Sequence, residues 1–292
     1  MGWWIVGSIA AFAAVVALIV AGNSLAKYQG WGVTRLDPAA LSAQLAPYYR
    51  VTKPAGAGPF PTALLYSGCD GPKDNLDRWA DMLNAHGWAA IVVDSHTPRG
   101  YGDFEIWRLI CAGQMFMGSE RAGDVLVSLD DARSMPFVDP DRIVLVGASH
   151  GGWAIMDLLA LDPPRRLPFN LTALPADSPA DPLAGVVGTV LLYPYCGSAN
   201  RAARAGGWRR QLPALFVLSA DDAIADPDDC RAIANALRDK GAKVEILMLE
   251  GVTHGFDQEQ RSKVSTLVFD EAATAEALAA GADFVDALRT AR

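Results

Sequence analysis

Basic residues are scarce in this sequence and nowhere cluster: Lys and Arg total 25 against 33 Asp and Glu, a formal net charge of −8. Nucleic-acid binding leaves a basic patch or stripe as its footprint, so no nucleic-acid partner is expected. Histidine is scarcer still, with four in 292 residues, and none falls with Cys, Asp or Glu at metal-ligand spacing. The Gly-rich run Gly147–Gly152 lacks the Lys of a phosphate-binding loop. No metal and no cofactor are therefore expected. Internal repeats are absent, and a hydrophobic content of 51% excludes disorder and supplies a substantial core.

Charge is also missing from the whole stretch before Lys27, where Trp3 to Gly22 is apolar throughout and about as long as a bilayer-spanning helix. Residues 1–27 are expected to anchor the chain in a membrane. The competing reading is a cleaved signal, because Ser24-Leu25-Ala26 puts small residues where signal peptidase reads. Against it, the apolar run exceeds the ~7–15 residues of an ordinary signal core, and no Lys or Arg precedes it. Lys27 and Arg35 would hold the following domain in the cytoplasm, whereas the even cysteine count (Cys69, Cys111, Cys196, Cys230) suits an oxidising compartment. The extracytoplasmic side is expected, with the cytoplasmic face as the alternative.

Residues 28–60 read as a linker and N-terminal extension, with a short helix over Pro38–Ala46 and an extended stretch Tyr48–Lys53. From residue 61 to 292 the pattern is that of one α/β catalytic domain. Short apolar runs at Thr62–Tyr66, Ala89–Val93, Arg142–Val146, Val187–Tyr193, Ala214–Leu218 and Val244–Leu249 alternate with helical patterns. The helices are expected at Asn75–His86, Glu120–Arg133, Gly151–Leu161, Asp228–Lys240 and Glu271–Leu288. Such alternation predicts a mostly parallel central sheet with helices on both faces. Asp162–Gly185 lacks periodicity and reads as a long loop, either shaping a pocket or making a surface excursion. Within it, Asn170-Leu171-Thr172 matches a glycosylation acceptor.

Gly147-Ala148-Ser149-His150-Gly151 follows an apolar strand and opens a helix, the strand–turn–helix setting in which G-x-S-x-G carries chemistry. The sharp turn strains the serine backbone, and side chains two residues to either side would collide with it. Ser149 is the expected nucleophile. A serine hydroxyl needs a neighbouring base held by a carboxylate, and beyond His150 only His254 follows Ser149. The acid is expected at the end of Ala214–Leu218, where Asp221 and Asp222 are adjacent; Asp222 is preferred, with Asp226 and Asp257 as outside alternatives. Backbone N–H groups of His150 and of Cys69, in Ser67-Gly68-Cys69-Asp70-Gly71, are the expected oxyanion donors.

These pieces, with Asp94–Gly100, Tyr193–Cys196 and Thr253–Asp257, resemble the dienelactone hydrolase family of the α/β-hydrolases over roughly Pro61–Leu288. The resemblance implies the α/β-hydrolase fold, the same three catalytic residues and the same oxyanion donors. It also implies that Arg99 lies at a recurrent position and binds an anionic substrate group, unless it closes a loop salt bridge. The enzymes that name the family use Cys where this chain has Ser149, and many relatives have His at Ser67. Both departures point to ordinary carboxylic esters or lactones, cleaved through an acyl-enzyme. Peptide cleavage or acyl transfer on the same fold is the alternative, although peptidases of this fold usually carry a large additional domain. A non-catalytic binding protein is the remote third. In sheets of this fold the strands before Cys69 and Cys111 are neighbours, as are those before Cys196 and Cys230, so Cys69–Cys111 and Cys196–Cys230 disulfides are expected.

Overall fold

The computed structural model describes residues 2–261 and 265–290. Met1 and residues 291–292, at the outer ends of the expected segments 1–27 and 61–292, lie outside the described residues.

Helix α1 (Gly2–Tyr28) carries the apolar stretch, and its side chains from Ile5 to Ala21 are exposed. Helix α2 (Pro38–Leu45) begins where Asp37 accepts the Ala39 N–H at 2.9 Å, with Pro38 in the first turn. The extended stretch after it is strand β1 (Tyr49–Thr52).

Strands β2 (Phe60–Tyr66), β3 (Ala89–Val93), β4 (Val138–Ala148), β5 (Val186–Leu192), β6 (Ala214–Ser219) and β7 (Val244–Leu249) join β1 in one sheet of order β1-β3-β2-β4-β5-β6-β7. Only β1 runs antiparallel. The remaining helices are α3 (Asp74–Ala85), α4 (Gly118–Arg133), α5 (His150–Leu161), α6 (Arg201–Ala205), α7 (Pro227–Asp239) and α8 (Glu271–Thr290).

Period-two alternation of the apolar strands separates two cores. Leu64, Tyr66 and Leu145 pack with α2, α4, α5 and α7 on one face. Ala63, Leu65 and Val146 pack on the other against Trp79 of α3 and Phe284 of α8. Both faces are therefore covered, and the α/β-hydrolase fold expected from the sequence is present.

Strand β4 is longer than the apolar run Arg142–Val146 because backbone pairing continues past it: Val138 partners Phe60 and Ala148 partners Leu192. Two short helical pieces carry no sequence periodicity, α6, capped by the Asn200 side chain, and a π-wound segment Glu105–Ile110. The stretch 162–185 has no helix or strand, as expected, but it lies along α4, bridging Leu171 to Leu36. Asn170 is buried there, its Nδ2 donating to Asp124 Oδ1 at 3.1 Å; this overturns the surface glycosylation reading.

Disulfides join Cys69 to Cys111 and Cys196 to Cys230, leaving no free cysteine. The first ties the loop after β2 to the turn after the π-wound segment, and the second ties the loop after β5 to α7. Alkylation of the native protein without reductant is expected to label no cysteine, and after reduction all four. Replacing Cys196 and Cys230 together by Ala, across a separation of 34 residues, should lower unfolding free energy by roughly 3–4 kcal/mol in denaturant titrations. Four labelled thiols before reduction would contradict the pairing.

Candidate active site

The parallel register places the carboxyl ends of β2, β4, β5 and β6 side by side: Tyr66 lies opposite Gly147, Ala148 opposite Leu192, and Leu192 opposite Val217. Loops leaving this edge converge, which is where sites form in open parallel sheets.

Ser149 stands in the turn from β4 into α5 with φ +47 and ψ −109, a conformation costly for a non-glycine residue. Its neighbours explain how the turn is tolerated. A Cβ on Gly147 would lie 2.5 Å from the Gly152 nitrogen, and one on Gly151 only 2.3 Å from the Tyr66 oxygen. The Ser149 N–H donates to the Leu192 carbonyl at 2.8 Å, fixing the turn to β5.

His254, in the turn after β7, lies with its Nε2 2.8 Å from Ser149 Oγ. Its Nδ1 is 2.6 Å from Asp222 Oδ2. The other oxygen, Asp222 Oδ1, accepts the N–H groups of Ile224 and Ala225, each at 2.8 Å, so the carboxylate is oriented from both sides. Asp221 is exposed. Asp226 caps α7, accepting the Asp228 N–H, and the buried Asp257 accepts from Tyr193 Oη at 2.5 Å and Trp79 Nε1 at 3.0 Å. Of the four carboxylates weighed from the sequence, Asp222 alone has an oxygen in hydrogen-bond contact with His254 among the described residues. A hydroxyl, imidazole and carboxylate in such a line can pass a proton from oxygen to nitrogen while the carboxylate holds the ring.

Cys69 and His150 line the same cavity as Ser149 and His254. His150 is the first residue of α5, so its N–H has no acceptor within the helix. The His150 ring turns inward and burial, reinforced by the Arg121 charge, pushes its pKa down to about 3. It therefore stays neutral and offers its Nδ1 lone pair to Arg121 Nη1 at 3.1 Å.

Arg121 was not singled out by any motif, yet it is fully buried at the centre of this region. Its Nη1 donates to the Ser67 carbonyl at 2.7 Å, its Nη2 to Ser67 Oγ at 3.1 Å and its Nε to Ser95 Oγ at 3.3 Å. Burial lowers its pKa to about 10, which leaves it charged at neutral pH. One planar fork thus braces the strand–loop junction before Cys69 and the imidazole after Ser149. The only hint in the sequence is a lone Arg at a helix start, which ordinarily faces solvent.

Arg99 is not among the residues lining the cavity and takes the salt-bridge role weighed as the alternative from the sequence. Its guanidinium makes two hydrogen bonds to Asp124, at 2.8 and 2.9 Å, and stacks on Phe116 at 4.5 Å. The Asp124 carboxylate is fully buried, and a buried carboxylate demands such a counter-charge.

The cavity has a volume of about 610 Å³. Its walls are chiefly Trp107, Ile110, Met117, Trp153, Ile224 and Leu267, with Asp70, Asn75 and Gln258 as polar groups.

Residues 178–288 match the model of the dienelactone hydrolase family. The resemblance read from the motifs is thereby supported. The matched segment contains Asp222 and His254 and begins after Ser149. Among solved structures, Thermogutta terrifontis esterase 2 superposes with a TM-score of 0.57 in its native form, at 16% identity, over 82% of this chain and 87% of that one. A dienelactone hydrolase-like promiscuous phosphotriesterase from metagenomic libraries gives a TM-score of 0.55 at 19% identity, over 82% and 98%. These likenesses concern the fold. In sequence, the acylamino-acid-releasing enzyme of Arabidopsis thaliana is 25% identical over 214 residues, 66% of this chain and 27% of that protein. Dipeptidyl-peptidase 5 of Porphyromonas gingivalis is 31% identical over 102 residues, 33% and 14%. The chain thus spans about a quarter or less of the length of these curated relatives. Hydrolases stand on every side of the comparison.

Arg121→Lys keeps the charge but cannot hold Ser67 and His150 together. It is expected to slow fluorophosphonate labelling of Ser149 by roughly 10–100-fold with the circular dichroism spectrum unchanged. Labelling at the wild-type rate would show that the brace is dispensable to the site.

Proposed function

We propose that the protein is a serine hydrolase of carboxylic esters or lactones, working through an acyl-enzyme. The observation that carries this reading is the continuous line from Ser149 Oγ through His254 to Asp222, with contacts of 2.8 and 2.6 Å, opening into a largely apolar cavity.

In this reading His254 Nε2 takes the Ser149 hydroxyl proton as Oγ bonds to the acyl carbon. The carbonyl π pair moves onto oxygen, which the N–H groups of Cys69 and His150 receive. As the carbonyl re-forms, the ester C–O bond breaks and the alcohol leaves with the proton held by His254. Water then repeats the sequence, losing a proton to His254, and releases the acid with Ser149 restored. Asp222 stays ionised and stabilises the imidazolium. Arg121 acts as a positioning residue for both oxyanion donors.

A second reading, cleavage of acylated amino acids or peptides, is favoured by the likeness to the acylamino-acid-releasing enzyme. The two readings share every step and differ in the leaving group, so parallel assays with a p-nitrophenyl ester and an acylamino-acid p-nitroanilide separate them.

We further infer a division into an anchor (residues 1–27), an extension (28–60) and a catalytic domain (61–292), with the domain outside the cytoplasm. The two disulfides support an oxidising location. Retention of the anchor is supported by its contacts: Asn23 Nδ2 donates to the Gln114 carbonyl at 2.7 Å, and Gln114 Nε2 to Ser24 Oγ at 2.8 Å, bonds that a cleaved segment would forfeit. Intact mass of protein extracted from its own membrane should accordingly include residues 1–26; a mass starting at Lys27 would exclude the anchor.

Ser149→Ala and His254→Ala are each expected to abolish nearly all ester turnover, and their effects should not add. Asp222→Asn should lower kcat by roughly 10⁴ by presenting the wrong tautomer, while Asp221→Asn stays near wild type. Equal losses in the two Asp variants would remove Asp222 from its role.

A further inference from the structure

The anchor helix does more than precede the catalytic domain: Ser24, near its carboxyl end, is part of the wall of the cavity that holds Ser149 and His254. The twenty residues Trp3–Gly22 make about 30 Å of helix, the thickness of a bilayer's hydrocarbon core. Ser24 lies two residues further on, or about 3 Å of helical rise. A wall of the cavity therefore stands at the level where acyl chains give way to headgroups.

The contact is specified by polar side chains. Asn23 and Ser24 both bond Gln114, in the turn secured to the oxyanion loop through Cys111 and Cys69. Four residues on, the Tyr28 carbonyl accepts from Arg201 Nη2 at 2.5 Å, and the Arg201 and Arg204 guanidinium groups lie 4.6 and 4.4 Å from the Tyr28 ring. These two points of attachment hold the end of α1 beside the cavity that Ser24 lines.

Four of the six exposed large apolar side chains outside α1 belong to, or adjoin in sequence, the cavity lining or the end of α1, while Tyr48 and Val51 belong to the β1 edge. Beyond α1, the described large hydrophobic residues left exposed are Trp31, Tyr48, Val51, Phe104, Ile224 and Val268. Ile224 lines the cavity, Val268 adjoins the lining residue Leu267, Phe104 precedes the segment carrying Trp107, and Trp31 follows the end of α1. Tryptophan and other apolar side chains at this depth partition into the headgroup region.

We propose that the substrate is a long-chain acyl ester dissolved in the bilayer, drawn sideways from the membrane into the cavity along the end of α1. The proposal rests on the serine hydrolase reading above. An apolar chain entering this way never crosses water, and the largely apolar walls receive it. Its ester, held in the interfacial layer by its own polarity, arrives at the level of the cavity mouth.

The test uses the full-length protein in phosphatidylcholine vesicles with two esters sharing a leaving group, 4-methylumbelliferyl oleate in the bilayer and 4-methylumbelliferyl acetate in the water. Oleate hydrolysis by the wild type should follow the ester's mole fraction in the bilayer, falling about tenfold when the same amount of ester is diluted tenfold with lipid, as local concentration dictates. Acetate hydrolysis should be indifferent to that dilution. Asn23→Ala with Gln114→Ala should reduce oleate turnover by roughly tenfold or more through lost alignment, with acetate turnover and fluorophosphonate labelling retained. Should the double variant fail to fold, the dilution series on the wild type still decides. Oleate turnover that ignores mole fraction, or acetate turnover with no oleate turnover, would overturn the proposal and leave the hydrolase reading standing. Failure to cleave either ester, with no labelling of Ser149, would remove both.

Discussion

At Gly151 the backbone of α5 runs against β2 so closely that a Cβ would sit 2.3 Å from the Tyr66 carbonyl oxygen, and at Gly147 a Cβ would sit 2.5 Å from the Gly152 nitrogen. This approach of helix to strand, possible only without side chains, forces the turn between them to be tight. It holds Ser149 at φ +47, at a cost of order 1–3 kcal/mol that the surrounding packing must offset. The offset is visible in the fully buried Val144, Leu145 and Val146 before the turn and Ala154 and Ile155 after it. The serine hydroxyl is thereby lifted clear of the sheet, where only long-range neighbours can reach it.

Those neighbours are held by polar interactions inside an otherwise apolar interior. A buried guanidinium is costly unless its donors are used, and Arg121 uses them on Ser67, Ser95 and His150. The neighbouring Arg99 and Asp124 satisfy each other, so the two arginines, close in space, divide the work. One neutralises a buried carboxylate and the other braces the loop. The Cys69–Cys111 bond adds a covalent tie to the same loop. Rigidity at this point is what pre-organised oxyanion donors require, since they act without reorganising during the reaction.

The same tie carries mechanical continuity outward. From Cys69 it passes to Cys111, then to Gln114 and the end of α1. The apolar helix thus contacts the turn that the Cys69–Cys111 bond joins to the proposed catalytic loop. In the proposed entry route, this linkage would give an anchoring α1 a part in substrate access as well as in attachment.

Local signals in the sequence determined a great deal. Ala89–Val93 is a strand because its continuous apolar run is buried on both faces, Val244–Leu249 is the partly exposed edge strand, and the observed bounds of both match residue for residue. The glycines around Ser149 announced a turn that only they permit, and the scarcity of histidine left His254 with little competition as its partner. Sequence favoured Asp222 over Asp221 but could not show the contact with His254, because adjacent residues in an irregular turn have no periodicity to say which points inward. Nor could it show that Arg99 meets Asp124, 25 residues away, or that Arg121 is buried, since a charged side chain is interior only when its partners arrive from elsewhere in the chain. Whether the stretch 162–185 shaped the cavity was open for the same reason; packing laid it along α4 and gave part of the wall to Trp107, Ile110 and Met117 and to Ser24. What depends on neighbours a few residues away was written in the sequence, and what depends on partners a hundred residues away was settled by tertiary packing.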